Sequence, residues 1–241
     1  MKIGHRTDVG RVRENNEDSL IIDKVINLFI VADGMGGYRG GEVASKIATK
    51  TIRSFIRKEL NNNRISKIPQ MIKMAIREAN QKIVKTASTS LLHSKMGSTI
   101  VMALQHKKKF YIANIGDSRA YLIRNGNIKQ LSEDHSIVGE LLRNGEITIK
   151  EAKTHPKRNI ITKVLGRPGV ISPLIKSMVL RKGDCLLLCS DGLTDSLQDD
   201  EITDMVLLNK IPQVICNKLV ELAIQRGGTD NITVIVIQNN E

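Results

Sequence analysis

Two apolar runs in this chain end in the same dipeptide. "FIVADG" closes on Asp33-Gly34, and "CLLLCSDG" closes on Asp191-Gly192. Each run lacks polar alternation and is rich in branched aliphatic residues, so each reads as a buried strand. A fold built on such strands sets both carboxylates at the rim of a sheet. The glycine after each aspartate lets the backbone turn sharply and come close to a bound ion.

The remaining patterns supply more strands and a pair of long helices. "STIVMALQ", "KFYIANIG", "RAYLIR", "NIKQL" and "NITVIVIQ" are short and bounded by turn residues. Asn125-Gly126 between two of them predicts a two-residue hairpin, because that turn needs positive φ at both central positions. Residues 40–60 and 68–86 each carry apolar positions at spacings of three and four, which predicts two amphipathic helices; 211–225 predicts a third, stopped at Gly227-Gly228. "SIVGELLRNGEIT" reads as a short helix ending at Gly145. Strands follow strands and helices come in a pair, which suggests α+β rather than alternating βαβ. With no repeat, linker or low-complexity tract, the 241 residues read as one domain.

Composition narrows the function. Aromatic residues are 2% of the chain, so the core is aliphatic and base-stacking on aromatic platforms is disfavoured. The net charge of +12 is read as a solvated basic surface rather than a nucleic-acid footprint; the densest cluster, "HKKK" at 106–109, falls where two strands turn. Cys185 and Cys189 lie on one strand, roughly 13 Å apart, too far for a disulfide. With Cys216 they form no metal pattern, which suits a reducing compartment. No run reaches membrane-span length and the start lacks a signal-peptide core, so a cytoplasmic location is expected.

The acidic residues are the informative ones. Glu17 and Asp18 precede an apolar pair, Asp33 and Asp191 end strands, Asp117 sits in a turn between two strands, and Asp230 opens the last strand. A single aspartate in such a place is usually a turn residue or a cap. Together they place several carboxylates where the sheets run out. Their mutual repulsion calls for cations, and oxygen-only ligands select Mg²⁺ or Mn²⁺ over Zn²⁺. "GMGGYRGG" after Asp33 is neither of the common nucleotide-binding glycine patterns.

In order, "TDVGRVRENNEDS", "IVADGMGGYRGGEVAS", "GSTIVMAL", "YIANIGDSRAYLIRNGNIKQLSEDHS", "AKTHPKRNIITKVLG", "LLLCSDGLTD" and "GGTDNITVIVI" resemble the metal-dependent PP2C-type (PPM) protein serine/threonine phosphatases, bacterial branch. The resemblance spans nearly the whole chain. It implies a four-layer α-β-β-α sandwich, two antiparallel sheets flanked by helix pairs, with a flap at about 133–170. It also implies hydrolysis of phosphoserine and phosphothreonine esters by a metal-activated water at a dinuclear Mn²⁺ or Mg²⁺ centre. Asp33 would bridge the two ions, Asp191 and Asp230 would complete the first site, and the Gly34 carbonyl would serve the second. Glu17 and Asp18 would act through metal-bound waters, and Asp117 with Asp191 would hold a weaker third ion. Arg13 would bind the phosphoryl group, in preference to Arg6 and Arg11, and Asn231 would support Asp230. The implied partners are phosphorylated proteins, among them a cytoplasmic Ser/Thr kinase and its substrates; no nucleic acid is expected. Two departures stand out: Met35 replaces a histidine of animal relatives and cannot donate a proton, and Tyr38 replaces a histidine common in bacterial members. A metal-dependent nuclease and an inactive binding module are the rival readings.

Overall fold

The computed structural model describes residues 1–37, 39–62, 67–89 and 95–239. Tyr38 lies outside the described residues, as does His93. The chain runs β1 (Lys2–Asp8), β2 (Ser19–Asp23), β3 (Leu28–Ala32), β4 (Gly34–Met35), α1 (Gly40–Asn61), α2 (Ile68–Ser88), β5 (Gly97–Ser98), β6 (Ile100–His106), β7 (Lys109–Ile115), β8 (Arg119–Arg124), β9 (Asn127–Gln130), α3 (Ile137–Arg143), α4 (Ile149–Thr154), β10 (Leu174–Met178), β11 (Cys185–Cys189), α5 (Asp191–Thr194), α6 (Asp199–Leu208), α7 (Pro212–Gln225) and β12 (Ile232–Gln238).

Two five-stranded antiparallel sheets form, ordered β1-β12-β11-β8-β9 and β10-β7-β6-β3-β2, with β4-β5 as a small third. Three apolar interfaces hold the layers together. Leu28, Ile30 and Ala32 of β3 pack with α1 and α2, while Phe29 and Val31 face the second sheet. On β11, Leu186 and Leu188 meet them in that inter-sheet core, and Cys185, Leu187 and Cys189 point the other way onto α6 and α7. Both faces are covered, which is why β3 and β11 read as unbroken apolar runs: every residue of each is buried. The three cysteines are free and buried.

The helix stripes of α1 and α2 are the faces their spacing predicts, as is that of α7 except for Val214, which is exposed. Asn125 (φ +52°) and Gly126 (φ +77°) form the expected hairpin turn between β8 and β9. Several elements carry no clear signal in sequence. Strand β10 has a half-exposed pattern, and α4 and α6 each open on a capping box, Thr148 with Glu151 and Gln198 with Glu201.

Two expectations need correction. Asp191 does not end a strand: β11 stops at Cys189, Ser190 follows in extended conformation, and Asp191 is the first residue of α5. Nor do the paired glycines serve a turn of positive φ, since neither is among the residues with left-handed backbone. They serve close approach. A Cβ on Gly34 would lie 2.0 Å from the Gly41 carbonyl oxygen, and one on Gly192 would lie 2.1 Å from that of Asn231. At each site two backbones touch, and only glycine leaves room.

Gly192→Ala should therefore force α5 away from the start of β12. The expected loss is about 2 kcal/mol of unfolding free energy, the range for overpacking against an unyielding neighbour. Urea denaturation followed by circular dichroism measures it, and an unchanged midpoint would contradict the contact.

Candidate metal centre

The acidic residues come from separate segments of the fold, and hydrogen bonds bring them to one rim. Asp33 follows β3, where its backbone N–H donates to Thr99 Oγ1 at 3.0 Å and its carbonyl accepts from Thr99 N–H at 2.8 Å. Ser98 Oγ donates to the same carbonyl at 3.0 Å. Thr99 Oγ1 also shares a 2.7 Å hydrogen bond with Ser118, next to Asp117. The turn holding Asp117 needs Gly116 at φ +96°, and it is fixed by buried His135, whose Nδ1 accepts the Gly116 N–H at 3.1 Å. His135 is thus a supporting residue, and burial holds its pKa below the usual value.

The second sheet brings the others. Ser190 Oγ donates to Asp18 Oδ2 at 2.7 Å and accepts the Thr233 N–H at 3.0 Å, tying β11 to β12 and to the segment before β2. Asn231 is the hub beside Asp230. Its N–H donates to Asp230 Oδ1 at 2.8 Å and its Oδ1 accepts the Glu17 N–H at 2.8 Å, while its Nδ2 donates to the carbonyls of Val9 and Asn15. Glu17 turns its carboxylate to the N-terminus of α1, accepting the N–H groups of Gly41 and Glu42. Burial nonetheless holds its pKa above the usual value, and Arg13 with these two N–H groups offsets only part of that.

Of the three arginines weighed, Arg13 is the one at the carboxylates: its Nη2 donates to Asp230 Oδ2 at 2.8 Å, within electrostatic reach of Asp33 and Glu17. Arg6 instead pairs with Asp8 and Glu221. Arg11 is exposed and contributes its backbone N–H to the Gly228 carbonyl.

The electrostatics are those of an under-neutralised site. Burial, then the charges of Asp191, Asp18, Asp117 and Asp230, hold the Asp33 carboxyl well above the usual carboxylate range. Asp191 is held high in the same way, by burial and then by Asp117, Asp195 and Asp230. Burial pushes Asp18 up to about 6, and burial with Asp134 pushes Asp117 up to about 7. Asp18 Oδ1, Asp117 Oδ1 and Asp191 Oδ1 are buried with no hydrogen-bond partner. Orphaned carboxylate oxygens are costly in a fold unless something else binds them. Among the described residues no three His, Cys, Asp or Glu side chains form a ready-made ligand cage. The donor set nonetheless fits hard divalent ions: it is all oxygen, it is net negative, and its free acceptors face no donor. Asp195, one helical turn after Asp191 in "DGLTD", was missed in the sequence. It sits near enough to raise the Asp191 pKa, and the i, i+4 spacing was its only signal.

The chain is similar to known proteins along most of its length. Residues 11–215 match the family described as Protein phosphatase 2C. A serine/threonine phosphatase stp of Listeria welshimeri is 38% identical over 238 residues, covering 98% of this chain and 94% of its own. The crystal structure of serine/threonine phosphatase Stp1 from Staphylococcus aureus superposes with a TM-score of 0.90 at 37% identity, covering 99% of this chain and 96% of that one. The catalytic domain of serine threonine protein phosphatase PstP, solved in complex with two manganese ions, matches with a TM-score of 0.85 at 32% identity, over 98% and 96% of the two chains.

The raised carboxyls set the sign of a pH effect. Between the usual 3.8 and about 6 for Asp18 or about 7 for Asp117, the unfolded chain has released protons that the folded chain still holds. Stability of chelator-treated protein should therefore fall as pH rises through that window. Scanning calorimetry at about pH 5 and about pH 7.5 should show a lower Tm at the higher pH, and Mn²⁺ should raise Tm more there. A metal-free Tm that rises with pH across the window would contradict the assignment.

Proposed function

The chain belongs to the protein phosphatase 2C family and is a metal-dependent serine/threonine protein phosphatase of the bacterial type, and we propose that Asp33, Asp191 and Asp230 hold its ions and Arg13 its phosphoryl group. The observation that carries this reading is the convergence of Asp18, Asp33, Asp117, Asp191 and Asp230 on one rim, three of them with an orphaned buried oxygen. Bound there, two Mn²⁺ or Mg²⁺ ions would supply neutralising charge and an activated water.

The chain's own residues do the rest. Asp33 feels the charges of Asp191, Asp18, Asp117 and Asp230 together, which supports reading it as the residue shared by the two ions. Gly34 follows it in β4, and its carbonyl is the group we assign to the second ion. Asp18 has one oxygen committed to Ser190, which leaves Oδ1 to act through water, and Glu17, held at the start of α1, is read in the same outer role. Asp117 and Asp191 together are assigned a weaker third ion. Arg13 has one nitrogen fixed by Asp230, which aligns its planar fork toward phosphoryl oxygens. No side-chain nucleophile is needed: Ser190 Oγ is already engaged, and burial pushes the Cys189 thiol up to about 12.

Residues 133–170, with α3 and α4, are assigned as the flap. Its far end reaches the site, because Leu165 and Ser98 exchange backbone hydrogen bonds of 2.8 and 3.1 Å. The substrates are phosphorylated proteins, with a cytoplasmic Ser/Thr kinase and its targets as the partners assigned. No helix among the described residues is long and apolar enough to cross a membrane, and three buried free cysteines accord with a reducing compartment.

Asp33→Asn and Asp191→Asn should each lower kcat on a phosphothreonine peptide by about a thousandfold or more while the circular dichroism spectrum stays that of the parent. Chelator should remove activity and Mn²⁺ restore it. Near-parental rates in either variant, or full activity in excess chelator, would show that the centre is misassigned.

Arg13→Ala should raise KM for the phosphopeptide, with a smaller fall in kcat, and Arg13→Lys should recover only part of it because an ammonium cannot match two oxygens in one plane. Arg11→Ala should behave as the parent. A crippled Arg11→Ala beside a normal Arg13→Ala would move the phosphate contact to Arg11.

A further inference from the structure

At the end of the molecule away from the carboxylates, a cavity of about 1050 Å³ opens between the first turns of α2 and the β6–β7 hairpin tip. Six cations line it: Lys67, Lys73 and Arg77 from the α2 side, and Lys107, Lys108 and Lys109 from the tip. No carboxylate is in its wall. Among the described residues, eleven ion pairs form elsewhere, yet none of the six has a side-chain hydrogen bond or ion pair. Like charges held this close without partners repel one another, and burial of an anionic group among them would relieve that repulsion.

The shape selects the kind of anion. On α2 the cations run from Lys67 to Arg77, about 15 Å along the helix, and the tip lysines face them. All six are exposed on long side chains. A compact phosphate calls for converging, fixed donors; a spread of mobile ammonium groups fits charges distributed along an extended chain. Between the cations the floor is apolar, formed by buried Ile68, by Met74 at 44% exposure and by the half-buried ring of Tyr111. One ring offers little to a series of stacked bases, but the floor suits an apolar side chain flanked by acidic ones.

We propose that this cavity is a docking site for an acidic segment of a substrate protein, carrying an apolar anchor and bound outside the active site. That the docked protein is a substrate rests on the phosphatase reading above; the cavity's affinity for the segment does not. From Lys109 along β7 to Asp117 is roughly 25 Å, a span that about eight extended residues cover. A segment docked here would hold a phosphorylated residue of the same chain near the carboxylate rim and raise its effective concentration there.

The test uses the full chain and two peptides. The first is a fluorescent, unphosphorylated peptide of alternating Glu and Asp around one Leu. It should bind the parent by anisotropy at low salt and bind at least tenfold more weakly to the Lys73→Glu/Lys107→Glu/Lys108→Glu variant. The second is a phosphothreonine peptide joined to that acidic segment by a flexible linker, in both chain orders. In one order or both, the segment should lower KM about tenfold for the parent, with kcat unchanged, and the benefit should vanish in the variant. Turnover of p-nitrophenyl phosphate should be equal in parent and variant. The proposal is overturned if the fluorescent peptide binds both proteins alike, if it binds neither, or if single-stranded RNA or anionic vesicles bind the parent in its place. Peptide binding as expected in a parent that turns over no phosphoester would uphold the cavity's role as an acidic-segment site and overturn the active-site reading alone.

Discussion

Repulsion among carboxylates is the constraint around which this fold is arranged. Burial and neighbouring carboxylates, Asp230 among them, hold the carboxyls of Asp18, Asp33, Asp117 and Asp191 above the usual range at one rim. Among the described residues, Arg13 is the cation that pairs directly with one of these five. Left alone, five such groups would push their strand ends apart. They are held instead by neutral ties that do not consume their charge: Thr99 on the Asp33 backbone, Ser190 on one oxygen of Asp18, and Asn231 between Asp230, Glu17 and the loop that carries Arg13. These ties fix where the carboxylates stand and leave oxygens free for divalent ions.

The sandwich makes the gathering possible. β3, β7 and β11 all finish at one end, so the residues after them converge without any long loop. The glycines complete this by letting backbones touch, Gly34 against Gly41 and Gly192 against Asn231. The opposite end of the same strands has the opposite character, with the unpaired lysines of the hairpin tip facing α2. The carboxylates and this basic cluster thus lie towards opposite ends of β7, and the net charge of +12 reveals neither. The basic composition first reads as a solvated surface. In the fold, part of it is a concave cluster, because 67–77 and 107–109 are distant in sequence and meet only when α2 packs against β7.

Much of the framework was legible in advance. The helices α1, α2 and α7 announce themselves by three- and four-residue spacing, β3 and β11 by unbroken aliphatic runs, and the β8–β9 turn by Asn125-Gly126. The acidic set was legible as a pattern of strand ends. What sequence could not show was how those ends close on one another, since that depends on pairings such as Ser19↔Ala32 and Cys189↔Val234. It also could not place Asp191, because Ser190 in extended conformation looks like one more strand residue until α5 begins. Asp195 was overlooked for the same reason: its closeness to Asp191 is helical. Strand β10 was invisible because it is an edge strand with half its side chains exposed, so no apolar run marks it.

In the proposed site Asp33 is the residue that both core ions would touch. Anomalous diffraction at the manganese edge, from crystals grown with Mn²⁺, tests that most directly. Two strong peaks sharing the Asp33 carboxylate are expected, one also against Asp191 and Asp230 and the other against the Gly34 carbonyl. Manganese peaks that leave Asp33 without a metal contact, or that form only away from this rim, would contradict it.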